Sequence, residues 1–518
     1  MYFCEQFIYD KDIERIIVAV RSIFMKILTK KSRRNGKLED FMKRTKIICT
    51  MGPNTNDKNV LRELVKNGMD IARFNFSHGD HEEQLGRVKN VREIREELGL
   101  PIAMLLDTKG PEIRTGIVER DKKVKLVAGN KYTIKMEQCE ATEEVNCVSY
   151  SGLANDVKAG DTILFDDGLI ELHVDETTGS EIHCTIVNGG ELGSKKGVNV
   201  PNVSINLPAI TEKDKNDIIF GIEQGYDFIA ASFVRNAECV REIKKILKEH
   251  NGDIAIISKI ENAEGIANID EIIAESDGIM VARGDMGVEI PAEEVPHVQK
   301  MIIDKCNAAF KPVITATQML DSMIRNPRPT RAEVTDIANA IYDGTDVVML
   351  SGETANGKYP VEAVTMMAHV CETTEQHIDH QKYLERNKVA EKNNVSNTVS
   401  YSTVAAADSL NAEAIVTPTM SGFTAKLVSK YKPSSLVIAT TPDEKVQRKM
   451  QILWGVRPLK AERKDSTDDI IKTAVETAKN SGLVKDGDTV VLTAGLPAAN
   501  EKAGERGITN MMRVLKID

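Results

Sequence analysis

The chain has 518 residues and a mass of 57.2 kDa, with 41% hydrophobic residues, which is too long for one ordinary domain and enough to fill more than one core. Its 78 acidic residues outnumber 68 basic ones, for a formal net charge of −10, which excludes a global attraction to nucleic acid or to an anionic membrane surface; affinity for anionic ligands must be local. The eight cysteines are scattered, with no close pair and no Cys/His spacing suited to zinc, which predicts a reduced, cytoplasmic chain.

Residues 1–41 read as an appendage. Apolar residues at 16–20 and 23–28 are interrupted by Arg21 and Lys26, so no run reaches the roughly 20 residues of a membrane helix. No small-residue cleavage site follows, and 30–34 is a basic run. Met42 stands directly before the first convincing strand, so the expectation is either a genuine tail or a start of translation assigned too early. From there, eight short apolar runs bounded by turn residues follow in order: "KIICTMG", "DIARFNF", "IAMLLDTKG", "DFIAASF", "IAIISKIE", "GIMVARGD", "PVITATQM" and "DVVMLSGE". Most lack alternation, as parallel strands covered on both faces do. Helical segments such as 60–67, 82–98 and 240–250 lie between them, so the pattern predicts an α/β fold with a (β/α)8 barrel over 42–112 and 208–385.

The spacing breaks after the third strand, where about 110 residues intervene instead of the two to six of a usual βα loop. Segments such as "KYTIKM", "DTILFDDGLIELHVDE" and "EIHCTIVNGG" are β-rich with Gly and Asp turns, which predicts an inserted all-β domain, a small β-barrel over 113–207, hanging as a lid over the barrel mouth. After the eighth strand, helical pattern continues to about Leu384, and the polar stretch "ERNKVAEKNNVSN" reads as a linker. Residues 395–518 alternate strand and helix again ("AIVTPT", "SLVIATT", "TVVLTAG") and predict a separate C-terminal α/β domain.

Barrels of this type carry their chemistry at the C-terminal strand ends, and the polar residues gather there. Strand two ends in Arg73, Asn75, Ser77 and His78, and strand three in Asp107, Thr108, Lys109, Glu112 and Arg114. Strand five ends in Lys259 and Glu261, strand six in Arg283, Gly284 and Asp285, strand seven in Thr315, Thr317 and Gln318, and strand eight in Ser351 and Glu353. Charged and hydroxyl groups on so many ends of one rim predict a site that binds metal and oxyanions together.

These residues also carry a resemblance. "RFNFSHG", "LLDTKGPEIRTG", "GSKKGVN", "IISKIEN", "GIMVARGDMGVEIP", "TQML", "NPRPTRAE" and "MLSGETANG" resemble the signatures of the pyruvate kinase family, in the right order over about 43–518. The resemblance implies transfer of a phosphoryl group from phosphoenolpyruvate to ADP, giving pyruvate and ATP in glycolysis, by a homotetramer with no nucleic-acid or membrane partner. Such transfer needs cations around the phosphoryl oxygens more than a covalent nucleophile. Glu261 and Asp285 then serve as oxygen ligands of Mg²⁺ or Mn²⁺. Lys259 meets the phosphoryl group in flight, and Arg73 binds its oxygens as a fork. Asn75, Ser77, Asp107 and Thr108 form an oxygen-only set, to which the resemblance assigns K⁺; Glu112 occupies the position where family members that need K⁺ carry Glu and independent ones carry Lys. The amides of Gly284 and Asp285 are assigned to the substrate carboxylate. Arg114, Lys196 and the loop of Asn75, Phe76, Ser77 and His78 are assigned to the nucleotide, and Thr317, through water and Ser351, to protonation of the enolate.

Plainer readings stand beside these. Glu261 and Asp285 can pair with Lys259 and Arg283 as structural ion pairs, and Thr317 and Ser351 can cap helices. In "TPTMSGFTAK", Thr417, Thr419, Ser421, Gly422 and Thr424 read either as a phosphate nest, which in the family holds a phosphorylated allosteric effector, or as an N-capped strand-to-helix turn. A second loop, "GLPAANEKAGERGITN", lacks the Trp and Arg of some fructose-bisphosphate-activated members although Lys502 and Arg506 are nearby, which leaves the effector's identity open. The sequence stops soon after "NMMRVLKID", so the extra C-terminal domain of some bacterial relatives is not expected.

Overall fold

The computed structural model describes residues 43–119, 122–387, 394–495 and 508–518. The expected appendage over 1–41, the middle of the expected linker, and Lys502 and Arg506 lie outside the described residues.

The eight apolar runs are the strands Lys46–Thr50, Ile71–Asn75, Ala103–Asp107, Phe228–Ala231, Ala255–Ile260, Gly278–Ala282, Val313–Ala316 and Val347–Leu350. All pair in parallel and close into a barrel, strand eight returning to strand one with Lys46 opposite Val347. Alternate residues, including Ile48, Leu105, Phe228, Ile257, Met280 and Ile314, fill the lumen. Their neighbours Ile47, Ala72, Leu106, Ile229 and Ile256 are equally buried, since successive side chains point to opposite faces and helices cover the outer one. Double-sided burial is why these runs show no alternation.

Caps fix where the helices begin. Asp80 accepts from the Glu83 amide at the start of His81–Leu98, and Gly99 ends that helix at φ 63°. Thr211 and Asp214 form a reciprocal capping box on Glu212–Glu223, a type of contact worth about 1 kcal/mol. The other oxygen of Asp214 accepts from the Gly110 amide at 3.0 Å, so the helix that follows the insertion is tied to the loop that precedes it.

The insertion is a seven-stranded sheet with its own core of Tyr132, Ile134, Phe165, Leu172, Val174, Ile182 and Ile186. Its entering strand Ile113–Arg114 pairs with its leaving strand Gly197–Asn199, Arg114 opposite Gly197. The sheet's two edges meet through a bridge between Thr115 and Val148.

The C-terminal region is a five-stranded sheet in the order Val456–Lys460, Leu436–Thr441, Ala414–Pro418, Thr489–Ala494, Met511–Lys516, the last strand antiparallel. Two of these strands do not stand out in the sequence. Val456–Lys460 contains Pro458, which only an edge strand tolerates, and Met511–Lys516 is an edge strand with little burial. The core of this domain is continuous with the barrel lumen. Buried charges cross the seam: Lys46 Nζ donates to the Val456 carbonyl at 2.7 Å, Lys432 pairs with Asp346 at 2.9 Å, and Arg448 pairs with Asp227 at 2.9 Å. Among the described residues no helix is long and apolar enough to cross a membrane.

Candidate active site

Adjacent strands in register bring polar termini together. Asn75 and Asp107 stand opposite each other, and the fourth to sixth strands carry their ends round to the same rim. The Arg73 Nε donates to Asp107 Oδ2 at 2.6 Å and its Nη1 to Thr50 Oγ1 at 2.9 Å. From the far side Lys259 Nζ donates to Asp107 Oδ1 at 3.1 Å, to Ser232 Oγ at 2.7 Å and to Glu261 Oε1 at 2.8 Å. Glu261 Oε2 accepts the Phe233 amide at 2.6 Å, an orientation that holds Phe233 at φ 54°. The Asp285 carboxyl lies close enough to that of Glu261 for the two to perturb each other.

Thr50 and Ser232 belong to this network although no charge or motif marks them in the sequence. Both are hydroxyls at the close of a barrel strand, "KIICT" and "FIAAS", which is the signal that identifies them in retrospect.

Charge explains the titration of the group. Burial works against the Asp107 carboxylate, but the flanking Arg73 and Lys259 outweigh it and hold its pKa below the usual range. Burial would lower Lys259, yet Asp107 and Glu261 push it up. Glu261 goes the other way: burial, with the Asp285 charge added, exceeds the help from Lys259 and the Phe233 amide and raises it to about 7. Asp285 is raised too, chiefly by burial. Two raised carboxyls this close favour holding one proton between them, which a bound cation would have to displace. Their hard oxygens fit a divalent ion such as Mg²⁺ or Mn²⁺, with the remaining coordination left to substrate and water.

Arg283 pairs with neither carboxyl; its Nη1 donates to Asp336 Oδ1 at 2.7 Å. Thr317 sits in the left-handed region at φ 69°, and its hydroxyl accepts the Gly284 amide at 2.8 Å. That amide, expected to meet a substrate carboxylate, is therefore already held by a neutral hydroxyl. Ser351 precedes the short helix Gly352–Ala355 without a side-chain capping bond, and its amide donates to Glu353.

The lid side is built from the hinge. Arg114 Nε and Nη2 donate to Glu112 Oε2 at 2.9 and 2.6 Å, and Lys196 Nζ donates to Asp166 Oδ1 at 2.9 Å. Between insertion and barrel lies a cleft of about 400 Å³ lined by Glu112, Arg114, Asp167, Asn199, Phe233 and Asp285. Asn75 Oδ1 accepts the Ser77 amide at 3.0 Å, and the His78 carbonyl accepts from Gln84. Thr108 Oγ1 accepts the Ser232 amide at 3.0 Å. The Phe76 ring is buried among His81, Phe220 and Tyr226, so only its backbone is placed to meet a nucleotide.

In the C-terminal domain a smaller cleft of about 210 Å³ is lined by Thr419, Ser421, Thr424, Arg463, Lys464 and Thr473. Thr419 Oγ1 accepts the Gly422 amide at 2.9 Å, and Thr424 Oγ1 bonds Thr509 Oγ1 at 2.9 Å. Thr417 is fully buried and does not line the cleft. Arg463 and Lys464 come from a distant strand end, which the loop sequence alone does not reveal.

Comparison with known proteins agrees with this geometry. The family model described as pyruvate kinase, barrel domain, matches residues 42–364, and that described as pyruvate kinase, alpha/beta domain, matches 397–515. A pyruvate kinase of Clostridium acetobutylicum is 53% identical over 479 residues, 92% of this chain and 100% of the relative. One of Geobacillus stearothermophilus is 52% identical over 475 residues, 91% of this chain and 80% of the relative. The crystal structure of a pyruvate kinase from Cryptosporidium parvum superimposes with a TM-score of 0.87 at 41% identity, covering 92% of this chain and 97% of that one. Matched along both its barrel and its C-terminal domain, with the charged strand ends in place, the chain belongs to the pyruvate kinase family.

Proposed function

We propose that this enzyme moves the phosphoryl group of phosphoenolpyruvate to ADP, yielding pyruvate and ATP, and that the rim network does the work. The observation that carries the reading is Lys259, a buried ammonium held between Asp107, Ser232 and Glu261 with the Arg73 guanidinium one residue away across Asp107. Two fixed, buried cations suit a phosphoryl group whose equatorial oxygens carry the charge. Arg73 and Lys259 hold that group, and Asp107 keeps both side chains aimed. Glu261 and Asp285 are the residues that would hold Mg²⁺, which when bound neutralises phosphate and enolate oxygens. Asn75, Ser77, Asp107 and Thr108 are the oxygen set for K⁺, and Glu112 marks the need for it. The Gly284 and Asp285 amides receive the substrate carboxylate, and Thr317 passes to the enolate carbon a proton that water supplies through Ser351, so its own hydroxyl is restored.

Arg114, Lys196 and the Asn75 to His78 loop meet the ADP phosphates; closing the insertion over them keeps water from intercepting the phosphoryl group. The hydroxyl-lined cleft with Arg463 and Lys464 supports a phosphorylated allosteric effector bound through Thr419, Ser421 and Thr424. A homotetramer follows family habit, and the free thiols of the described cysteines support a reducing, cytoplasmic setting. Pyruvate formation from phosphoenolpyruvate and ADP with Mg²⁺, with and without K⁺, tests the reading in the native chain and in Lys259→Met. Turnover that needs K⁺ and collapses in the variant is the expected result; no turnover in the native chain in any salt would overturn it.

A further inference from the structure

The turn after the seventh barrel strand is strained. Thr317 at φ 69° and Gln318 at φ 55° are consecutive non-glycine residues in the left-handed region, and Thr317 is β-branched, the type least at ease there. Such strain persists only where surrounding structure overrides it. Farther along the turn Glu353 Oε1 accepts the Leu320 amide at 3.1 Å, but the two peptides around Thr317 itself are gripped by the Arg283 side chain. Arg283 Nε donates to the Ala316 carbonyl at 3.2 Å and Nη2 to the Thr317 carbonyl at 2.7 Å, gripping both peptides that flank the Thr317 Cα. The opposite edge of the same guanidinium is anchored on Asp336 Oδ1 at 2.7 Å and Gln299 Oε1 at 3.3 Å. The side chain is only 10% exposed, so its planar fork has little freedom to leave. The consequence is the position of the Thr317 hydroxyl, which donates to the Ala316 carbonyl at 2.6 Å and accepts the Gly284 amide at 2.8 Å.

We propose that Arg283 is a positioning residue for enolate protonation: it pins the 316–318 turn in its left-handed form so that the Thr317 hydroxyl waits on the Gly284 amide and is released toward the enolate carbon when a substrate carboxylate takes that amide. This deepens the proposed function and rests on it. The hydroxyl acts as a placeholder, keeping the amide satisfied before substrate arrives. Arrival of the carboxylate, the stronger acceptor, frees the hydroxyl at the moment a proton donor is needed.

Two rates separate the idea from a merely structural role. Exchange of the pyruvate methyl protons in D₂O, followed by proton NMR with Mg²⁺, K⁺ and ATP present, reads proton transfer at carbon. ATP formed in a single turnover of phosphoenolpyruvate with ADP, caught by rapid quench, reads phosphoryl transfer. In Arg283→Lys the turn relaxes and exchange should slow by about 5- to 30-fold, the factor that one left-handed non-glycine residue commands, while ATP formation changes by less than about threefold. Gln318 is exposed, and adding Gln318→Gly to Arg283→Lys removes half the strain without touching the Thr317 hydroxyl, so it should restore most of the lost exchange. Asp336→Asn, which loosens the anchor and keeps Arg283, should slow exchange in the same direction. Equal falls in both rates, or no recovery with Gln318→Gly, would overturn the proposal. A native chain that makes no ATP would instead reject the parent reading.

Discussion

Replacing the proton shared by Glu261 and Asp285 with a divalent cation can be counted. Burial and the Asp285 charge raise Glu261 to about 7, so below that pH the cation-free site holds a proton that the metal must displace. With a pKa of about 7 some nine-tenths of sites are protonated at pH 6 and about one-tenth at pH 8, which makes the apparent Kd for Mg²⁺ about tenfold weaker at pH 6 than at pH 8, or about 1.4 kcal/mol. Titration calorimetry in two buffers of different ionisation enthalpy should find close to one proton released per ion at pH 6 and almost none at pH 8. Stability follows the same sign. The acid's pKa rises from 4.5 on folding, so its contribution is fully present below pH 4.5 and is lost as pH climbs to about 7 in the cation-free protein. Mg²⁺ should therefore raise the Tm more at pH 8 than at pH 6, and Glu261→Gln should abolish the proton release. Affinity that does not change between pH 6 and 8, with no proton released at either, would refute the shared-proton account.

Lys259→Met should lower kcat by about 10³-fold or more, since it removes a fixed cation from the transferred group. Its stability cost in urea unfolding should stay below the 3–5 kcal/mol or so of an orphaned buried charge, because Glu261 can take up a proton and Asp107 keeps Arg73. At the seam, Asp346→Ala removes the carboxylate from the Lys432 ammonium, leaving it the Thr345 carbonyl at 3.1 Å and the face of the Trp454 ring, and should cost about 3–5 kcal/mol in urea unfolding; a loss below about 1 kcal/mol would show that the pair does not hold the seam. Glu112→Lys should give activity that no longer responds to K⁺, measured against a tetramethylammonium salt at equal ionic strength; an unchanged K⁺ requirement would refute the role given to Glu112.

The eight strands and the long interruption were legible because buried parallel strands leave continuous apolar runs, and an insertion leaves a gap no βα loop can fill. The ordered signatures placed Arg73, Asp107, Lys259, Glu261 and Asp285 on one rim for the same reason: strand ends in a barrel have only one face on which to meet. Thr50 and Ser232 were not legible because a lone hydroxyl at a strand end carries no pattern, and its value lies in the ammonium or guanidinium that another strand brings to it. The C-terminal edge strands were hidden by Pro458 and by the exposure of Met511–Lys516, which remove the apolar signal.

The one-dimensional pattern thus determined the architecture, its order, and which charged residues share a rim, since periodicity and chain order are local properties. Only the folded structure decided which of those charges touch. Arg283 reaches past Asp285 to Asp336, Thr317 turns left-handed onto Gly284, and burial raises the Glu261 carboxyl, because each outcome depends on distances and burial set by residues far apart in the chain.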